Sequence, residues 1–130
     1  MKRTILGVLA VAGAWSALDF VIHGLILRSS YEATARLWRP MPEMKLGVLY
    51  LAVLIAALAF VCIYVRLVAE KGLGSGVKYG LLFGLATGVS MGYGTYAVMP
   101  IPAHMALVWF IGSLVEATVG GIIVGSIIRK

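Results

Sequence analysis

The chain has 130 residues, of which 62% are hydrophobic and only 12% are charged, and its formal net charge is +6. Soluble domains are about half apolar and about one quarter charged, so this composition excludes an ordinary water-soluble domain. The positive charge does not indicate nucleic-acid binding, because the basic residues separate long apolar segments. The single cysteine, Cys62, excludes a disulfide framework and a paired-cysteine metal site. We expect a single integral membrane domain over residues 1–130.

Four apolar segments are each long enough to cross a bilayer as a helix, since about 20 residues span roughly 30 Å of hydrocarbon. They cover residues 5–27, 46–68, 77–98 and 102–128. A membrane β-barrel needs at least about 8 short alternating strands, which these continuous segments do not provide. Lys2 and Arg3 precede the first segment as in a signal peptide, but the segment continues past Ala17. That length exceeds a signal sequence, so we expect a retained first helix.

The loop after the first span predicts a short helix at the membrane surface. Ser29 and Glu32 have the spacing of a capping box, in which the serine side chain accepts from the Glu32 N–H. The helix should run to Arg39, because Pro40 disfavours helical geometry in the residue before it. Its mixture of aromatic rings and arginines suits an interfacial position. The predicted fold is therefore all-α, a four-helix transmembrane bundle with a short interfacial helix between spans 1 and 2.

The other two loops differ in character. Residues 70–76 are rich in glycine and predict a flexible turn. They lack the Gly-Lys-Ser/Thr ending of a phosphate-binding loop, so we do not expect a nucleotide there. Residues 99–105 form a tight link that contains two prolines, which predicts that the third and fourth spans are antiparallel neighbours.

Basic residues are distributed unequally between the two sides of the predicted membrane domain. Seven lie on the side of both termini and four on the other side. The positive-inside rule then places both termini in the cytoplasm. The two sets are Lys2, Arg3, Arg66, Lys71, Lys78, Arg129 and Lys130 on the first side, and Arg28, Arg36, Arg39 and Lys45 on the second.

Small residues recur every four positions on the third and fourth spans. This spacing puts them on one helix face, where another backbone can approach closely. We interpret the two rows as packing ridges, which join either the two spans of one chain or the copies of a homo-oligomer. The ridges are Gly80, Gly84, Gly88 and Gly92 on the third span, and Ser113, Ala117, Gly121 and Gly125 on the fourth.

Three ionisable side chains lie deep in the spans, where such groups are costly and usually functional. Asp19 and His23 are four residues apart, so they share a helix face and can touch. Glu116 lies near the midpoint of the fourth span with no lysine or arginine at that depth. Its candidate hydrogen-bond partners on the third span are Ser90, Tyr93 and Tyr96. A proton relay or a ligand site is one interpretation, and polar contacts that only hold helices together are the other.

The predicted topology also gathers soft-metal ligands on the outer side. Imidazole and thioether groups favour copper(I), so the sequence allows a copper(I) site there. Haem is not expected, because one histidine begins its helix while the other lies about a turn inside its own. No nucleophile motif indicates a hydrolase, so an enzyme is not favoured. The candidate ligands are His23, His104, Met41, Met44, Met99 and Met105.

The first third of the chain carries a characteristic set of residues, Leu18-Asp19-Phe20-Val21-Ile22-His23-Gly24, Tyr31, Leu37-Trp38-Arg39-Pro40 and Glu43-Met44. With these residues the chain resembles a family of small four-span bacterial membrane proteins of unknown function. The resemblance implies a multi-pass protein of the bacterial inner membrane, and it implies no activity.

Two function classes follow from the sequence. In the first, the protein binds or transports a proton, metal ion or small solute through its intramembrane polar cluster. In the second, it is a non-catalytic accessory or structural subunit of a larger membrane complex, assembled through its glycine ridges. The lipid bilayer is the expected surrounding in both, and nucleic acid is not an expected partner.

Overall fold

A computed structural model describes residues 1–129 of the chain. Lys130, which was counted among the basic residues beside the termini, lies outside the described residues. All regular secondary structure in residues 1–129 is helical, and four of the helices are long and apolar enough to cross a membrane. These findings confirm the all-α prediction with four candidate spans. The long helices are α1 (Lys2–Ile26), α3 (Leu46–Leu67), α4 (Leu73–Val98) and α5 (Ala103–Ile127), and a short helix α2 (Arg28–Ala33) follows α1.

Helices α4 and α5 form the most extensive helix contact and run antiparallel. Their backbones approach so closely that the contact has no room for a methyl group. A Cβ atom added at Gly84 would lie 2.9 Å from the Cα of Leu114, and one added at Gly92 would lie 2.5 Å from the carbonyl oxygen of Ala106. Cβ atoms added at the other glycines of this contact would also lie within 3.0 Å of backbone atoms of the opposite helix or, for one of them, of the residue just before that helix. These glycines are Gly76, Gly80, Gly88, Gly121 and Gly125.

All four long helices meet at the end of the molecule that carries the termini, which we call the terminal end. The core there surrounds Phe60 and Tyr64 of α3, both fully buried. The Phe60 ring packs against Trp15 of α1 at 5.2 Å and Tyr79 of α4 at 4.5 Å between centroids. The Tyr64 hydroxyl both donates to the carbonyl and accepts from the N–H of Gly72, at 3.0 Å each, which fixes the α3–α4 loop.

The opposite end, which we call the α2 end, is built differently. Its apolar cluster comes from α1, α5 and the loops, with Leu27, Met105 and Trp109 among its buried side chains. No residue of α3 belongs to this cluster within the described chain. Residues 46–52 of α3 are all exposed in the isolated chain. Because these residues are apolar on every face, lipid is a suitable solvent for this half of α3.

Helix α4 begins earlier than the sequence predicts, at Leu73 instead of residue 77. Gly72, with φ +153, provides the backbone break that ends the loop. The first turns of α4 then pack directly on the end of α5, since Gly76 faces Gly121 and Gly125. Part of the glycine-rich segment predicted as a flexible turn is therefore ordered helix.

The predicted capping box in the first loop is wrong. Only Leu27 separates α1 from α2, so Ser29 falls inside the first turn of α2 and makes no capping bond. Glu32 instead pairs with Arg28 at 3.2 Å. The α-helix also ends at Ala33, before the predicted Arg39, and residues Ala35–Leu37 form a separate 3-10 turn.

Candidate functional site

One face of α1 packs against α5 along a second row of small residues. Gly112 and Gly120 lie one turn to either side of Glu116 on α5. A Cβ atom at Gly112 would come within 2.9 Å of Ile22, and one at Gly120 within 3.1 Å of Trp15. The Trp15 indole N–H also donates to the backbone carbonyl of Glu116 at 2.7 Å. This close approach turns the Glu116 side chain towards α1.

The carboxyl groups of Asp19 and Glu116 are neighbours across the α1–α5 contact and interact electrostatically. Glu116 is next to the midpoint of α5, so the pair lies deep in the candidate span. The Oε1 atom of Glu116 is buried without a hydrogen-bond partner in residues 1–129. Neither carboxyl is paired with a lysine or arginine in that part of the chain. Two ionised carboxylates at this range repel, whereas one shared proton makes one group a donor and the other an acceptor.

Helix α1 extends the polar contacts from this carboxyl pair towards α2. The His23 Nε2 atom lies 3.8 Å from Asp19 Oδ1, and its Nδ1 atom lies 2.6 Å from the Tyr31 hydroxyl. That hydroxyl oxygen also accepts from the Trp109 indole N–H at 3.0 Å. The two hydrogen bonds at the Tyr31 oxygen are compatible when the Tyr31 O–H donates to Nδ1. His23 then carries its proton on Nε2, directed towards Asp19.

The Tyr31 hydroxyl remains protonated at physiological pH. Burial raises the pKa of Tyr31 to about 12, against the opposing effect of the Trp109 hydrogen bond. Trp38 packs edge-on against its ring at 5.3 Å between centroids. Tyr31, His23, Asp19 and Glu116 thus form one series of neighbouring polar groups from α2 to the middle of α5, which we call the polar chain.

The polar chain ends at the apolar core of the terminal end. Beyond Glu116 in this direction, the next positions on the same α5 face are Gly120 and Val124, packed on or within the core that holds Trp15 and Phe60. Tyr79 of α4 packs against this core, and its hydroxyl donates to the Phe60 carbonyl at 2.8 Å. Within the described residues, the series of polar groups therefore opens only towards the α2 end.

Tyr93 does not join the polar chain. No hydrogen bond links it to Glu116 in residues 1–129. Its ring packs instead against Phe110 at 6.0 Å between centroids, and the side chain is 42% exposed. The partner of Glu116 comes from α1 because Glu116 faces that helix, while the α4 side of α5 is filled by the close contact of glycines.

The two histidines meet neighbouring residues of α2. His104 Nε2 lies 2.7 Å from the Ser30 hydroxyl, just as His23 Nδ1 meets Tyr31. One ring nitrogen of each histidine is therefore already in a hydrogen bond. Among the candidate thioethers, Met105 is fully buried, Met99 is partly buried, and Met41 and Met44 are exposed. In residues 1–129 no three His, Cys, Asp or Glu side chains form a metal-binding group. The copper(I) site stays a prediction.

Sequence reasoning missed two parts of the site. Gly112 and Gly120 carry a detectable signal, because they flank Glu116 at the same four-residue spacing as the recognised ridges. Tyr31 carries no such signal in the sequence, since its contact with His23 depends on how the chain turns at Leu27. That turn follows the Phe20–Ile26 segment of α1, which is π-helical, a geometry frequent at functional sites.

Comparison of the chain with protein-family models, curated proteins and solved structures finds no match. The resemblance of its first third to small four-span membrane proteins carries no activity either. The geometry of the polar chain is therefore the observation on which a function rests.

Proposed function

We propose that this membrane protein binds protons at the Asp19–Glu116 pair and exchanges them with the α2 side of the membrane through His23 and Tyr31. One observation carries the proposal: two carboxyl groups meet deep in the candidate span, away from any cationic side chain, at the closed end of the polar chain. Ionisable groups at such depth commonly form proton relays. The proposed function thus belongs to the transport or ligand-binding class, with a proton as the bound species.

A proton moves along the polar chain by changes at named atoms. The Tyr31 O–H passes its proton to His23 Nδ1 and is reprotonated from the α2 side. His23 releases the proton on Nε2 to Asp19, so the imidazole ends neutral with its tautomer exchanged. The 3.8 Å gap to Asp19 Oδ1 is closed by side-chain rotation or by one bridging water. Asp19 then shares the proton with Glu116.

A proton suits the polar chain better than a larger cargo. Two surface clefts of the described chain, near Arg3 and near Ser90, are lined by residues other than the carboxyl pair. A solute or hydrated ion needs a cavity at the carboxyl pair, whereas a proton needs only neighbouring donors and acceptors.

The accessory-subunit alternative has less support. It relied on glycine ridges as docking surfaces, but these glycines face α4–α5 contacts within one chain. A partner would therefore have to use another face. We also propose that the protein resides in a bacterial inner membrane with both termini in the cytoplasm and α2 at the outer surface, because the distribution of basic residues favours that orientation.

The test adds acid rapidly to purified protein and follows proton uptake near neutral pH with a pH-sensitive dye. We expect the wild type to take up protons at the carboxyl pair, and Asp19→Asn and Glu116→Gln to lose this uptake. Glu32→Gln is the matched control, because Glu32 is a carboxylate on the exposed face of α2. Circular dichroism establishes that each variant is folded.

Infrared spectroscopy measures proton binding independently of the dye. The carbonyl stretch of a protonated carboxylic acid should be present in the wild type and absent in Glu116→Gln. Wild-type protein that takes up no protons and lacks this band would overturn the proposal. Proton uptake that is unchanged in both acid variants would also overturn it.

A further inference from the structure

A cleft of about 340 Å³ lies at the terminal end of the molecule, between the beginning of α1 and the end of α5. The two helix ends lie close together, since a Cβ atom added at Gly7 would be 3.5 Å from the Ile128 side chain. Both walls supply polar and apolar groups. The lining residues are Arg3, Leu6, Ser126, Ile127 and Arg129.

The polar groups of the cleft are cationic or can donate hydrogen bonds, and they have no partner among residues 1–129. Neither Arg3 nor Arg129 forms an ion pair in that part of the chain. The first turn of α1 contains no acidic residue, and the helix N-terminus adds partial positive charge. Two guanidinium groups and the Ser126 hydroxyl thus face one space. Guanidinium groups bind phosphate through paired hydrogen bonds, so the chemistry fits a phosphate-bearing anion.

The position and apolar wall of the cleft indicate where the phosphate comes from. Arg3 lies in the first turn of α1 and Arg129 just follows α5, so both flank the ends of candidate spans. Lipid phosphate groups lie at this level of a bilayer. Leu6, one turn deeper, is 56% exposed and offers apolar surface to an acyl chain. A free phosphate ion would use the arginines but not this apolar surface.

We propose that this cleft binds the headgroup of one anionic phospholipid, with its phosphate between Arg3 and Arg129 and an acyl chain along Leu6. Basic pockets between membrane helices recognise anionic headgroups in this way. The site lies at the opposite end of the molecule from Tyr31 and does not depend on the proposed proton function.

Native mass spectrometry of the full chain in detergent tests the proposal, with phosphatidylglycerol, phosphatidylcholine and inorganic phosphate as separate probes. We expect a single bound phosphatidylglycerol in the wild type and weaker retention of phosphatidylcholine. The double variant Arg3→Gln/Arg129→Gln should lower phosphatidylglycerol affinity about tenfold or more, since hydrogen bonds to charged groups are each worth about this factor. The matched control is Arg36→Gln/Arg39→Gln, which removes the same charge from exposed arginines in the first loop.

Three results would overturn the proposal. Phosphatidylcholine could bind as tightly as phosphatidylglycerol, or the Arg3/Arg129 variant could match its control. Inorganic phosphate could also bind alone and displace the lipid, which would assign the cleft to a free anion. Because both arginines are exposed, the variants should fold, and unchanged thermal unfolding establishes this.

Discussion

Replacement of Gly84 by alanine tests the close contact between α4 and α5. The new Cβ would lie 2.9 Å from the Cα of Leu114 and 3.0 Å from the Cβ of Ala117. Ordinary van der Waals contact begins at 3.4 Å, so the helices must separate by about half an ångström at this point. One of the two atoms belongs to the backbone, which cannot rotate away. Gly13 of α1 is the control, because nothing lies within 4 Å of a Cβ added there.

We expect Gly84→Ala and Gly13→Ala to change the free energy of unfolding in opposite directions. Overpacking of a close-packed contact costs about 1–3 kcal/mol, and we expect Gly84→Ala to lower the free energy of unfolding by that amount. Gly13→Ala gains helix propensity without a clash, so it should raise the free energy of unfolding by up to about 1 kcal/mol.

Reversible unfolding in mixed micelles, followed by far-UV circular dichroism, measures both variants against the wild type. Equal stabilities for Gly84→Ala and Gly13→Ala would refute the reasoning, because the two substitutions differ only in what surrounds the added methyl group. A stabilising Gly84→Ala would refute it more strongly, since α4 and α5 would then have room to spare.

Two tyrosine hydroxyls provide further tests, with the exposed Tyr50→Phe as the common control. Tyr31→Phe leaves the Trp109 N–H without its acceptor and should cost about 1–3 kcal/mol at neutral pH. The pKa of Tyr31 is about 12, above the ordinary value of 10, so its ionisation should reduce stability as pH rises from 10 to 12, and Tyr31→Phe should lose that part of the pH dependence in unfolding titrations. Tyr64→Phe removes both hydrogen bonds to Gly72 and should accelerate amide hydrogen exchange in the α3–α4 loop, and exchange as slow as in the control would contradict this role.

The candidate spans could be predicted because length and apolar composition are properties of each segment alone. The start of α4 could not, since Leu73–Gly74–Ser75 has the composition of a turn and becomes helical by packing on α5. The prediction for the first loop was wrong for a related reason. A capping box requires a helix to begin at Ser29, but α1 passes into α2 with one intervening residue.

The same distinction applies to the candidate site: contacts within one helix could be predicted, whereas contacts that depend on how two helices pack could not. The spacing of Asp19 and His23 predicts their proximity, because residues four apart share a helix face. The partner of Glu116 could not be found in this way, since it depends on the rotation of α5 relative to α1. The contact of Tyr31 with His23 could not be predicted either, because eight residues and a change of helix direction separate the two residues.

The rotation of α5 links its packing to its polar chemistry. Ala117 faces Gly80 of α4, and its neighbour Glu116 turns towards Asp19 of α1. Successive residues of an α-helix lie about 100° apart, so a row of small residues on one face fixes the direction of the carboxyl on the next. Gly112 and Gly120 then allow α1 to approach, because a larger side chain at either position would meet Ile22 or Trp15. The two glycine rows therefore have distinct effects: one sets the direction of Glu116, and the other brings its partner within reach.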